Sequence, residues 1–267
     1  MWSRNIYLGE MRLTRRSFIG FGLALVAVLV TFAAFTDLII SNEDLAGLLE
    51  SYPQALLDAF NFDIAAFTSF EGWMGSEPYV FYVLLLSIFG ILQALGSISK
   101  ELDQRTGEFL FSQPVSRPRI FLSKVLSGLT QLTVLFLLSA LVAWLAGHLA
   151  AEVTNPTGLF LLFAAGYLIA IGFSGIGYLL TPLFNASRSA TALGIGIVLG
   201  SFVLDAFSKV SDKVNWLGYF SLFQLYDVHG LLAAKRLPLW PSLFVCILFV
   251  LGVGAGLWLF RQKDILH

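Results

Sequence analysis

Six long apolar stretches, separated by short polar ones, organise this chain: Ser17 to Ile40, Pro78 to Ile98, Ile120 to Leu149, Gly158 to Phe184, Ala190 to Phe207 and Leu239 to Phe260. A helix needs about 20 residues to cross a hydrocarbon core of about 30 Å, and each stretch approaches or exceeds that length. The third and fourth are long enough to tilt or protrude; the fifth is the shortest. The pattern predicts an all-α fold, one polytopic membrane helix bundle over 1–267 with about six spans.

The polar stretches predict an orientation, because short loops rich in lysine and arginine stay in the cytoplasm. Arg4, Arg12, Arg15 and Arg16 precede the first span. The next loop, Ser41 to Glu77, has seven carboxylates and no cation. Lys100, Arg105, Arg117, Arg119 and Lys124 follow the second span, and none lies between His148 and Thr157. Arg188 stands before the fifth span, Lys209, Lys213, Lys235 and Arg236 after it, and Arg261 and Lys263 close the chain. Alternate segments therefore carry twelve cations on one side and four on the other. Both termini are expected in the cytoplasm of a cell (inner or plasma) membrane. The fifth loop also carries Trp216, Tyr219, Phe220, Phe223 and Tyr226, so part of it is expected to dip into the outer interface as short helices.

Composition sharpens the class. Apolar residues make up 57% of the chain and charged ones only 12%, against about 25% in soluble domains. Cys246 lies in an apolar run, which excludes a disulfide framework. The first apolar run is too long for the core of a cleavable signal and has no small-residue cleavage pattern after it. No ionisable residue falls near the middle of a span, which disfavours ion-coupled transport, where such groups bind the coupling ion. His148, His229 and His267 are dispersed and predict no metal site. There is no HExxH and no phosphate-binding Gly-x-x-x-x-Gly-Lys-Ser/Thr. The chain is thus expected to bind no cofactor and no nucleic acid, and to draw any energy from another polypeptide.

The most distinctive stretch is Lys100 to Ser127, KELDQRTGEFLFSQPVSRPRIFLSKVLS. The second span is expected to continue as a charged helix through Lys100, Glu101, Asp103 and Arg105. Gly107 suits a helix end. A second short element, Glu108 to Ser112, carries Phe109, Leu110 and Phe111 beside water, and Pro114 stops it by excluding Gln113 from helical backbone. Ser116 can cap the next helix, with Pro118 in its first turn. A short apolar-tipped helix pinned between two breaks wants a covering surface. On residues alone, that surface is either lipid or a protein partner.

The run Glu101, Arg105-Thr106-Gly107-Glu108, Leu110, Ser112, Pro114-Val115-Ser116-Arg117 and Lys124 resembles the cytoplasmic loop of type-2 ABC transporter permeases. That family shows an acidic stretch, Gly-Thr-Leu-Glu, a leucine-rich turn, Ser-x-Pro-Val-Ser-Arg and a following lysine. Here Thr106 and Gly107 stand in reversed order and Phe109 replaces the leucine. The opening Gly9-Glu10-Met11-Arg12 with Arg15-Arg16-Ser17 resembles the family's entry helix, and Phe260-Arg261-Gln262-Lys263-Asp264 its basic exit. The resemblance implies a cytoplasmic coupling helix and a permease subunit paired with a second copy or a similar permease. It also implies two copies of a cytosolic ABC ATPase that bind ATP-Mg, with export the commoner direction. Glu101, Arg105, Gly107, Glu108, Phe109, Leu110, Phe111, Pro114 and Arg117 would form the ATPase-coupling segment. Alternatives are a membrane scaffold or sensor without transport, and an intramembrane lipid-modifying enzyme.

Three further features carry expectations. At the start, Trp2, Ile6 and Leu13 share one helical face and Arg4, Arg12, Arg15 and Arg16 another, although Leu8 and Met11 spoil the pattern. This predicts an amphipathic interfacial helix with its arginines near anionic lipid, or else a plain topogenic tail. The outer-loop residues Leu45, Leu48, Leu49, Tyr52, Leu56, Leu57 and Phe60 follow helical periodicity, fitting a structural cap on the bundle or a substrate gate. Gly172, Gly175 and Gly177 crowd the fourth span, and Gly196/Gly200 and Gly252/Gly256 form small-xxx-small pairs. Close intramolecular packing is the expected use of these pairs, a protomer interface the alternative.

Overall fold

The computed structural model describes residues 2–36, 53, 69–103, 115–150, 153–184 and 187–262. In chain order the helices are α1 (Arg4–Leu13), α2 (Arg15–Ala34), α3 (Phe70–Gly75), α4 (Glu77–Asp103), α5 (Arg117–Ala150), α6 (Pro156–Leu180), α7 (Ser187–Val210), α8 (Val228–Ala234) and α9 (Leu239–Gln262). Three 3₁₀ segments, Thr181–Leu183, Asp212–Phe220 and Phe223–Leu225, complete the described structure, which contains no strand. Among the described residues, six helices are long and apolar enough to cross a membrane: α2, α4, α5, α6 with its 3₁₀ end, α7 and α9. They correspond to the six predicted spans. The fifth proves longer than its apolar run, because α7 continues through Ser208, Lys209 and Val210. The predicted coupling segment from Arg105 to Pro114, the periodic outer-loop residues Leu45 to Phe60 (apart from Pro53), and Lys263 in the tail fall outside the described residues.

Local chemistry sets the helix ends. α4 runs for 27 residues, about 40 Å, so it overshoots the hydrocarbon as its charged tail predicted. Pro118 sits in the first turn of α5, and the Ser116 carbonyl accepts from the N–H groups of Arg119 and Ile120. Pro156 opens α6, and Asn155 caps it by accepting from the Gly158 N–H at 2.9 Å. At Thr14 the hydroxyl donates back to the Glu10 carbonyl at 2.7 Å. Such back-bonding bends helices and marks the joint between α1 and α2.

The bundle is layered around α4 and α6. In their most apolar stretches 72% and 61% of residues are buried, against 22% to 33% for the other spans. The main core gathers Tyr82, Leu86 and Phe89 of α4, Leu132 and Leu135 of α5, and Phe163 and Phe173 of α6. Tyr82 spends its hydroxyl on the Phe163 carbonyl at 2.8 Å, so a polar group is satisfied where water is absent.

Glycine decides how closely α9 approaches this core. A side-chain carbon at Gly252 would overlap the Gly175 carbonyl oxygen, and one at Gly256 would overlap the Tyr178 carbonyl oxygen. The sixth-span pair is therefore spent inside the molecule, as expected. The fifth-span pair is not: nothing lies within 4 Å of a side-chain carbon built at Gly196 or Gly200. The physical reason is the rotation of α7, which turns Ala190, Gly194, Val198, Ser201, Asp205 and Ser208 inward and leaves the glycine stripe facing out.

One end of the bundle is closed by short elements. Every residue of α3 is buried. The Glu71 carboxylate accepts from the Asn155 N–H at 2.5 Å and from the Thr154 hydroxyl at 3.2 Å, placing its charge by the N-terminus of α6, where a helix favours an anion. Trp73 Nε1 donates to the Phe32 carbonyl at 3.0 Å, and Asn155 Nδ2 donates to the Leu232 carbonyl of α8 at 3.0 Å. This part of the first long loop is a structural cap. The predicted dip of the fifth loop goes deeper than an interface. Ser221 Oγ lies 3.2 Å from Ser201 Oγ, nine residues before the end of α7. That is about 13 Å of helix, so the chain turns back along α7, and the Phe223 ring meets Phe173 of α6 at 5.4 Å.

Candidate functional site

The opposite, basic end of the bundle collects Arg4, Arg12, Arg15, Arg16, Lys100, Arg117, Arg119, Lys124 and Arg261. Two polar contacts organise it. Lys124 sits two turns inside α5, flanked by Leu122, Val125 and Leu126, where a lone ammonium would be costly. Its Nζ lies 2.5 Å from Glu10 Oε2, and the two side chains are 2% and 6% exposed. Around this pair α1 and α5 are laced together. The Ser3 N–H donates to Ser123 Oγ at 2.8 Å. Gln131 Nε2 donates to the Thr14 hydroxyl at 2.8 Å and contacts Met11 Sδ at 3.3 Å. The packed stripe of α1 is thus Ser3, Ile6, Tyr7, Glu10, Met11 and Thr14, a largely polar seam.

The helical-wheel reading grouped Trp2, Ile6 and Leu13 on one apolar face; within the protein, Ile6 is half-buried at the seam while Leu13 is 74% exposed. Met11, which spoils the apolar pattern, belongs to the seam. Trp2 remains about half exposed, with its ring 5.3 Å from that of Tyr7. Arg12, Arg15 and Arg16 all stand outward.

The second contact involves Arg117. Its guanidinium donates to the carbonyls of Phe260 and Arg261 at 3.4 and 3.2 Å. These are orphan carbonyls at the end of α9, where a helix favours a cation. The start of α5, immediately after the predicted coupling segment, is thereby fastened to the last helix. Below it Phe121 packs on Tyr178 and Phe260 with ring centres 6.0 and 5.9 Å away. Thr181, at the foot of α6, donates to the Leu95 carbonyl of α4 at 2.7 Å. So both edges of the 104–114 stretch spring from elements tied into the bundle: α4 on one side, α5 on the other.

Of the residues named from sequence, Glu101 lies in the last turn of α4 and Arg117 in the first turn of α5. Arg105, Gly107, Glu108, Phe109, Leu110, Phe111 and Pro114 lie outside the described residues. Sequence reasoning missed the Glu10–Lys124 pair. It treated Lys124 as a loop cation, although the residue falls inside the apolar run Ile120 to Leu149. It likewise passed over Asp205, which α7 buries and pairs with Lys209 at 3.0 Å. A signal existed: a lysine inside an apolar helix calls for a counter-ion, and Glu10 is the single carboxylate among the first 36 residues.

Six apolar helices, a basic end laced by buried polar contacts and a capped opposite end describe a multi-pass membrane protein. The profile of the family described as "ABC-2 family transporter protein" matches residues 4–265, and the chain belongs to that family. It is similar to the "Uncharacterized membrane protein YdbK" of Bacillus subtilis (strain 168), at 25% identity over 210 residues, covering 74% of this chain and 84% of that one. It is also similar to the "Uncharacterized protein YhcI" of the same organism, at 23% identity over 230 residues, covering 76% and 72%. The chain is thus a membrane component of a transporter.

Proposed function

We propose that this chain is the permease subunit of an ATP-driven exporter whose energy comes from a separate ATPase. In this reading two permease chains, identical or similar, join two ATPase copies that bind ATP-Mg. The ATPase docks at the basic end, on the segment between α4 and α5. The observation that carries the reading is the way the elements flanking this segment are fastened. α5 begins on Arg117, tied to α9, and holds α1 through Lys124 and Glu10. A push on the segment would reach α4, α5, α1 and α9 together, which is what a coupling element requires. Phe109 or Phe111 supplies the apolar anchor, and Glu101, Arg105, Glu108 and Arg117 the polar rim. Anchors of this kind cost about 2 kcal/mol or more on truncation, and rim charges usually less.

The test is co-purification with the ATPase, combined with transport-linked ATP hydrolysis. The chain alone should hydrolyse no ATP. Phe109→Ala with Phe111→Ala should weaken ATPase association or uncouple hydrolysis from transport in a folded protein. Parental binding and transport by that variant would make the segment a lipid-resting helix and refute the coupling assignment.

The cytoplasmic placement of the basic end rests on its excess of lysine and arginine. Single cysteines in a Cys246-free background should make it visible in intact cells. A cysteine at Gly107 should resist an impermeant thiol reagent, and one at Glu50 should react. The reverse labelling pattern would invert the topology.

A further inference from the structure

The first 36 residues contain four arginines and one carboxylate. That carboxylate, Glu10, is buried against Lys124, so it neutralises no cation at the surface. Arg4, Arg12, Arg15 and Arg16 are all exposed. Arg4, Leu8 and Arg12 fall at i, i+4 and i+8, so they share one stripe of α1 facing away from the seam on α5, and Arg15, exposed, opens α2 just past the bend at Thr14. Arg119 is also exposed, one turn before the Ser123 hydroxyl that receives the Ser3 N–H; this brings a fifth cation to the start of α1. Apolar side chains stand among these charges: Leu8 is 40% exposed, Trp2 49% and Leu13 74%.

We propose that the outward stripe of α1, with Arg15 at the start of α2, binds anionic phospholipid, with Arg4, Arg12 and Arg15 facing the headgroup phosphates and Leu8 against the acyl chains. Charge complementarity and position select this occupant. α2 leads from Arg15 and Arg16 directly into Ser17 to Ala34, which carries no charge. The arginines therefore stand where hydrocarbon meets the headgroup layer, and forked guanidinium donors match phosphate oxygens there. Exposed leucine and tryptophan beside arginine suit an amphiphile that offers both chemistries. The same helix presents Glu10 on its inner face, so lipid charge acts on the element that Lys124 holds. The inference does not depend on the export reading or on which side of the membrane the basic end occupies.

Native mass spectrometry of the full chain, offered equal amounts of phosphatidylglycerol and phosphatidylcholine in mixed micelles, tests it. The first phosphatidylglycerol should bind about fivefold more tightly than phosphatidylcholine or better, since each basic residue near an anionic surface contributes on the order of 1 kcal/mol. The folded triple variant Arg4→Gln, Arg12→Gln, Arg15→Gln should bind both lipids equally. A control at the opposite end, Lys213→Gln with Arg236→Gln, should keep the preference, and glycerol phosphate without acyl chains should not compete. An unchanged preference in the triple variant, or competition by glycerol phosphate, would overturn the proposal. So would a triple variant that loses only ATPase association, which would assign the stripe to the protein partner.

Discussion

Replacing Lys124 by methionine should destabilise the protein by about 3–5 kcal/mol, the range seen when one partner of a buried ion pair is removed. Methionine fills a similar volume, so the loss reports charge and not a cavity. The Glu10 carboxylate would remain buried without the ammonium that now lies 2.5 Å away. The double variant Glu10→Gln with Lys124→Met should recover most of the loss, because no uncompensated charge is left and glutamine still offers polar atoms to the seam. Thermal unfolding of the four proteins in one detergent, read as a double-mutant cycle, measures the coupling. Additive effects of the two substitutions would show that the pair is not a unit and that α1 is held by the remaining Ser3 and Gln131 contacts.

Gly252→Leu should also cost about 2 kcal/mol or more, since overpacking forces backbone and side chains apart. The obstacle is the Gly175 carbonyl of α6, which a side-chain carbon at Gly252 would overlap. The two backbones are close here in the other direction too, since a side-chain carbon at Gly175 would lie 2.7 Å from the Phe249 backbone of α9. Backbone cannot swing aside as a side chain can, so α6 and α9 would have to separate. Gly200→Leu is the contrasting case. Its position opens on empty space, and the purified single chain should unfold within about 0.5 kcal/mol of the parent. Thermal unfolding of both variants in detergent makes the comparison. Equal losses at the two positions would mean that α7 packs with its glycine stripe turned inward.

The number of spans and their approximate positions were legible in the sequence because a membrane leaves few solutions: about 20 apolar residues between polar punctuation read as a crossing helix. The charged extension of α4 and the Pro118 start of α5 were equally local, set by backbone chemistry within a few residues. The family was legible for the same reason, since Glu10, Arg117 and Lys124 belong to short runs whose order survives in one dimension.

What a residue touches was another matter. Glu10 and Lys124 stand 114 positions apart; a lysine inside an apolar run calls for a counter-ion, but its local run does not say which of the chain's carboxylates answers it. The two glycine pairs are identical as patterns. Only the rotation of each helix sends Gly252 against a neighbouring backbone and leaves Gly200 outside. Leu13 looks like part of an apolar face until the bend at Thr14 and the polar seam on α5 decide which side of α1 is buried. A span follows from the interaction of one segment with the bilayer, a property the segment carries alone. Pairing and facing follow from packing six segments together, where burial of one charge must be answered by another that only the folded bundle brings within reach.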